Sequence, residues 1–306
     1  QEKRRLNPTM LKLRLMTLNL GGGIKNYRGT PQESFDKSEA ISELINRIKP
    51  DVLGVQEIAQ YLDGDGHLHS MTERIRDDAQ FDHAFYGETL SMKQHMQVKQ
   101  ALMVEGIFND WWDWSKGNAL FSHLPFARLG DATSSGMPRN VPVFQPARYE
   151  GTRDTDPHYV IISRLKASPH PYILNLHLTT LVGERGENAW SSTIEAAEMA
   201  RSKQILNVLG LIEKHVLIPG EPVILMGDFN AKPDEYTLKN HLVEDNHFVR
   251  LVPENDIFTH GSAGTVDHIY FAPAHRLRSY QCWVVDDELT HRVSDHLPVV
   301  ADIEIE

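Results

Sequence analysis

Apolar residues alternate with charged ones from Leu11 through Leu13 and Leu15, the two-residue period of a strand with one buried face. That run ends at Thr17-Leu18-Asn19, ahead of the loop glycines Gly21, Gly22 and Gly23. Phe35, Ile41, Leu44, Ile45 and Ile48 then fall at helical spacing, and Pro50 stops the helix. A short apolar strand, 52–55, delivers Gln56-Glu57 at its end. From Ile58 to Lys116 the pattern is irregular, and the stretch reads as an insertion rich in His, Met and Trp. Beyond it, 119–121, 159–165, 172–178, 222–226, 266–271 and 299–305 read as strands, and 193–213 reads as one long helix without an internal proline. Strands outnumber helices, and helices separate only some of them. This predicts α/β layers with much antiparallel sheet, two packed sheets flanked by helices. With no repeat, low-complexity tract or linker, residues 11–306 read as a single domain behind a short N-terminal extension, 1–10.

Composition narrows the class without naming a chemistry. The 306 residues are 41% hydrophobic and 24% charged, as in ordinary globular proteins. No run reaches the roughly 18 apolar residues of a membrane span. Residues 1–16 lack the apolar core of a signal peptide. The first residue is Gln1 rather than Met, so a trimmed leader stays open, and with it the choice between a cytoplasmic and an exported soluble protein. The lone Cys282 excludes an internal disulfide and reads as a packed core thiol in the strand-like run 281–285. A net charge of -11 argues against a long footprint on nucleic acid, which basic proteins usually make.

Candidate chemistry sits at strand ends. Thr17-Leu18-Asn19, Gly54-Val55-Gln56-Glu57, Asn175-Leu176-His177-Leu178, Gly227-Asp228-Phe229-Asn230, Thr265-Val266-Asp267-His268 and Ser294-Asp295-His296 each put polar, metal-competent side chains at or near the end of an apolar run. Strand ends converging on one rim of a sheet are where α/β enzymes build sites. No Ser nucleophile elbow, P-loop or Rossmann glycine fingerprint competes with that set.

Taken in order, Asn19, Gln56-Glu57, Gly117-Asn118, His177, Gly227-Asp228-Phe229-Asn230, Asp267 and Ser294-Asp295-His296 resemble the motif set of the endonuclease/exonuclease/phosphatase superfamily. The resemblance spans 11–305. It implies a DNase I-like fold, a four-layer α/β/β/α sandwich of two mixed, largely antiparallel sheets, and a divalent-metal-dependent hydrolase of phosphate esters. Glu57 would be the principal ligand, with Asn19 and Asp295 beside it; such oxygen donors suit Mg2+, or Mn2+, better than zinc. Asp228 would orient or deprotonate the attacking water, with Asn230 holding a phosphate oxygen. His296 would contact the phosphate with Asp267 fixing its ring, and His177 would be a second phosphate contact. His268 should face the opposite side of its strand in a structural role.

The substrate side is less defined. Asn118 reads as support for the site or as turn chemistry. Arg148 and Arg153 precede the 159–165 strand, where relatives carry a substrate-facing arginine, and the choice between them is open. Trp111-Trp112-Asp113-Trp114 reads either as a platform for a base, sugar or lipid head group, with Trp112 as its candidate, or as a packed cluster under the insertion. His67, His69 and His95 are loosely spaced, form no recognisable metal-ligand pattern and read as surface residues. The expected partner is a phosphate ester, whether a lipid head group, a small molecule or a nucleic acid, acted on by a monomer. A phosphodiesterase is favoured, with an endo- or exonuclease as alternative; a non-catalytic binding module that kept the fold is the rival from another class.

Overall fold

The computed structural model describes residues 10–21, 37–98, 100–108, 112–186 and 188–306. Phe35, Gly22, Gly23, Trp111 and most of the N-terminal extension lie outside them. The strands are β1 (Leu11–Asn19), β2 (Val52–Leu62), β3 (Leu68–Ser70), β4 (His83–Ser91), β5 (Ser115–Ser122), β6 (Ala127–Arg128), β7 (Asp131–Ser135), β8 (Arg139–Phe144), β9 (His158–Arg164), β10 (Tyr172–His177), β11 (Val223–Asp228), β12 (Val249–Arg250), β13 (Asp267–Ala272), β14 (Leu277–Val284) and β15 (Val299–Ile305). The α-helices are α1 (Ser38–Ile48), α2 (Met71–Asp78), α3 (Met92–Gln97), α4 (Gln100–Phe108), α5 (Ser191–Ile212) and α6 (Glu288–Val293).

One sheet runs β14-β15-β1-β2-β5-β4 with β3 attached to β2; the other runs β12-β13-β11-β10-β9-β8. The parity of each strand shows how they stack. Leu13 and Leu15 of β1, Ile173 of β10, Ile224 and Met226 of β11, and Ile269 and Phe271 of β13 share one core cluster between the sheets. The alternate residues turn outward. Met16 and Leu18 join Ile41, Leu44 and Ile45 of α1 and Ile75 of α2, while Leu174, Leu176 and Leu225 join Ile205, Val208 and Ile212 of α5. The central strands of both sheets are therefore buried on both faces, and the layers are α/β/β/α as the resemblance implied. No helix among the described residues is long and apolar enough to cross a membrane.

A polar bridge crosses the middle of this sandwich. Asn175 Nδ2 donates to the carbonyls of Val55 (3.0 Å) and Ala119 (2.8 Å) in the opposite sheet, and Gln56 Nε2 donates to Asn175 Oδ1 (2.6 Å) and Thr17 Oγ1 (3.1 Å). Gly54 makes room for it: a Cβ there would lie 3.0 Å from Asn175 Oδ1 and 2.9 Å from Met226 Cε.

The stretch 58–116 corrects the reading as an irregular insertion. Its described residues form the outer half of β2, then β3, α2, β4, α3 and α4, and β4 pairs with β5 from His83↔Ser122 to Ser91↔Ser115. As the last strand of its sheet, β4 is only half buried over most of its length, so no clean alternation marks it. Strand β14 extends the Cys282 run, and that thiol is fully buried, which pushes its pKa up to about 12.

Two outcomes follow from this packing. Asn175→Ala leaves two buried carbonyls without their donor and Gln56 without its acceptor, and should lower stability by about 3 kcal/mol in urea unfolding. His268 is buried, with Nε2 2.9 Å from the Ala231 carbonyl, and burial lowers its pKa from 6.5 to about 3. The unfolded chain therefore takes up the proton first: this stability is complete above pH 6.5 and declines towards pH 3, by about 1.4 kcal/mol per pH unit. His268→Gln, which can keep the donor without titrating, should flatten that slope.

Candidate active site

Strand register gathers the polar ends. The parallel pair β1–β2 sets Asn19 beside Gln56, and the parallel pair β10–β11 sets His177 beside Asp228, which antiparallel pairing places opposite Asp267 of β13. Asn19, Gln56, His177, Asp228 and Asp267 share the inward parity of their strands, so they meet where the two sheets open at one rim. Glu57 has the wrong parity. It joins them because β2 carries an irregularity between Val55 and Ile58 in its pairing with β5, with Glu57 at φ 54°. A bulge beside a site re-aims a side chain in this way.

The Gly227-Asp228-Phe229-Asn230 segment also departs from simple alternation. Strand β11 ends at Asp228, Phe229 is buried, and Asn230 sits at φ 50° with its N–H donated to Asp228 Oδ1 (2.8 Å). The two side chains are brought together by a turn and not by strand alternation. Gly227 is obligatory there: at φ 149°, a Cβ would lie 1.9 Å from the Leu176 carbonyl oxygen.

Asp228 is the hub. Its Oδ2 accepts from Asn19 Nδ2 (2.9 Å) and stands 3.6 Å from His177 Nε2 and 3.8 Å from His296 Nε2. Burial works against its charge, but His296, His177 and the Asn19 donor outweigh it and hold the carboxyl below its usual range. Burial likewise opposes the charge on His296, whose Nδ1 lies 2.9 Å from Asp267 Oδ2; Asp267 and Asp228 prevail and raise it to about 9. Burial raises Asp267 in turn, so the pair retains its proton at neutral pH. Helix α6, started by a capping box on Asp287, delivers at its other end Ser294, whose Oγ donates to the Asn19 carbonyl (2.6 Å) and accepts the His296 N–H (3.1 Å).

A cleft of about 840 Å³ opens over this hub and is lined by Glu57, His177, Asp228, Asn230, Asp295 and His296 of the expected set. Asn19 and Asp267 are buried behind it. Asn118 is buried beside Glu57 in a small adjoining cavity, its Nδ2 without a hydrogen-bond partner among the described residues. Arg153 lines the cleft and Arg148 does not. Trp112 is absent from the lining too: it packs against the Ala59, Met92 and Trp114 cluster, with Lys93 Nζ 5.8 Å from its ring. Asn19 turns its nitrogen, not its oxygen, towards Glu57 Oε1 (3.2 Å), while its oxygen accepts the Gly21 N–H. In this conformation it braces the carboxylates.

Sequence reading missed several cleft residues. His95 is buried with Nδ1 2.5 Å from the Tyr149 hydroxyl, not a surface residue. His260 Nε2 lies 3.5 Å from Asp295 Oδ2. Arg185 donates to Asn230 Oδ1. None stands at a strand end, so no hydrophobic pattern pointed to them. Arg185 is carried by a loop fastened through a buried charge triad: Arg201 donates to Glu184 Oε1 (2.5 Å), to both oxygens of Glu235 (2.8 and 2.9 Å) and to the Thr179 carbonyl (3.3 Å).

Cutting that triad strands two buried carboxylates. Arg201→Met should cost about 3–5 kcal/mol in urea unfolding and speed amide exchange across 178–186.

Residues 16–296 match the sequence pattern described as the Endonuclease/Exonuclease/phosphatase family. No curated protein sequence matches the chain. Among solved structures it is similar to the endonuclease/exonuclease/phosphatase from Bacteroides vulgatus (TM-score 0.64, 14% identity, covering 97% of this chain and 100% of that one). It is also similar to the endonuclease/exonuclease/phosphatase from Beutenbergia cavernae DSM 12333 (0.62, 18%, 96% and 72%) and to truncated Caenorhabditis elegans TDP2 (0.58, 14%, 95% and 97%). At these identities the likeness shows the shared DNase I-like fold.

Proposed function

The chain belongs to the endonuclease/exonuclease/phosphatase family, and from that premise we propose that it is a divalent-metal-dependent hydrolase of phosphate esters, a phosphodiesterase acting by in-line attack of water. The observation that carries this reading is the Asp228 hub: an ionised carboxylate buried at the floor of the cleft between two imidazoles.

The donor set fits a hard cation. Glu57 and Asp295 offer carboxylate oxygens in the cleft, and Asn19 can offer its amide oxygen only by turning away from Gly21. Mg2+, or Mn2+ in its place, matches such oxygens. A bound cation of this kind would supply Lewis-acid polarisation of a phosphoryl oxygen. The rest is the work of side chains. Asp228 accepts a hydrogen bond from the attacking water, or its proton, and aims it at phosphorus. His296, kept protonated by Asp267, donates Nε2–H to a phosphoryl oxygen as negative charge builds there. Asn230, His177 and the unpartnered Nδ2 of Asn118 are further donors to the same anion. Water adds to phosphorus as the P–O bond to the leaving group breaks, without a covalent enzyme intermediate.

A cleft of about 840 Å³ in a chain of net charge -11 favours a compact phosphodiester over a long polyanion. Every position expected to act holds a competent residue, against the binding-module alternative.

Hydrolysis of bis-p-nitrophenyl phosphate and p-nitrophenyl phosphate with Mg2+, Mn2+ or EDTA tests the reading. Turnover should favour the diester, vanish in EDTA and fall by about 10²–10⁴-fold in Asp228→Ala. Turnover that survives EDTA or the substitution would refute it, and metal binding without turnover of either ester would favour the binding module.

A further inference from the structure

We propose that the tip of the β2–β3 hairpin is a second metal site, built from Asp63, Asp65, His67 and His69, that takes a divalent transition-metal ion such as Zn2+. Asp63 follows the end of the strand that carries Glu57, roughly 20 Å along the chain from it at strand rise, so the two sites do not share ligands.

Pairing of Tyr61 with His69 and Leu62 with Leu68 leaves 63–67 as the turn, closed by Asp63 N–H to the His67 carbonyl (3.0 Å) and Gly66 N–H to the Asp63 carbonyl (3.0 Å). Asp63 Oδ1 accepts the N–H groups of Asp65 (3.0 Å) and His67 (2.9 Å). That fixes the carboxylate with Oδ2 towards two imidazoles, His69 Nε2 at 2.7 Å and His67 Nδ1 at 3.5 Å. One ligand atom each from Asp63, Asp65 and His67 lies within 4.8 Å of the others.

The turn explains why Asp63 binds its own backbone. It does not explain two imidazoles converging on the other oxygen, one from the turn and one from the facing strand. The second imidazole is aimed from outside the turn. His69 stacks on Tyr61 (centroids 4.6 Å apart, planes at 10°), and Tyr61 stacks on the buried Trp114 (4.6 Å, 7°). The ring plane is thus set by the apolar cluster beneath, which orients ligands before an ion arrives. Asp63, Asp65 and His67 form the trio, and with His69 drawn in from Asp63 two imidazoles and two carboxylates make a nitrogen–oxygen set of the type that selects zinc or its transition-metal neighbours over Mg2+. Binding ties the hairpin to the Tyr61–Trp114 stack.

The test is calorimetric titration of the full chain with ZnCl2 and, separately, MgCl2. Zn2+ binding should persist in Glu57→Ala and weaken at least tenfold in His67→Ala/His69→Ala, a pair exposed enough that folding should survive, while Mg2+ binding is unchanged by the double substitution. In the wild type, Zn2+ should shift the ring NMR signals of His67 and His69. Unchanged Zn2+ affinity in the double variant, or shifts confined to His177 and His296, would overturn the proposal. Because the wild-type spectrum reads the site directly, a variant that misfolds cannot hide the answer.

Discussion

The Gln56–Asn175 bridge is the constraint on which the site rests. Two sheets packed through largely apolar inner faces can slide and rotate against each other, since dispersion and burial are non-directional. Hydrogen bonds from Asn175 to the carbonyls of Val55 and Ala119, closed by Gln56, are directional and buried, so they fix one spacing and one register between the layers. Asn19 and Glu57 come from one sheet, His177 and Asp228 from the other. The 2.9 Å contact between Asn19 and Asp228 exists only at that register.

Charge is concentrated at the rim that this bridge positions. Glu57, Asp228 and Asp267 are nearly inaccessible to water, and each has a cation or donor against it: Asn19 for Glu57 and Asp228, His296 for Asp267 and Asp228. Such an assembly is costly to bury, and the cations and donors set against each carboxylate offset that cost. The loops around it are fixed by similar means. Arg201 secures the loop that carries Arg185, and Ser294 ties the end of β1 to His296. The cleft walls are therefore held by buried polar contacts rather than by loop packing alone.

Much of this could be read in the chain. An inward-facing position at a strand end is a local property, since alternation tells which side chains share a face and a polar residue closing an apolar run marks the rim. Asn19, His177, Asp228 and Asp267 were all legible on that basis, and His268, one residue out of phase, was legible as structural. Glu57 was found through its motif, but its orientation was not, because a positive φ and a bulge override the two-residue period. His95, His260 and Arg185 carry no such signature. They sit on a short helix and on loops, where neighbours in sequence say nothing of neighbours in space. The pairing of His67 and His69 with Asp63 was hidden likewise, since the hairpin that joins them lies in a stretch without alternation.

The sequence by itself therefore determined most of the strands, the layered architecture and the polar residues at the strand ends, because burial leaves apolar runs and alternations in the order of residues. Tertiary structure decided which of those ends share one cleft, which face Glu57 presents, and which residues from outside the pattern complete the walls. Those outcomes depend on register between sheets and on backbone angles at a few positions, and neither leaves a periodic trace along the chain.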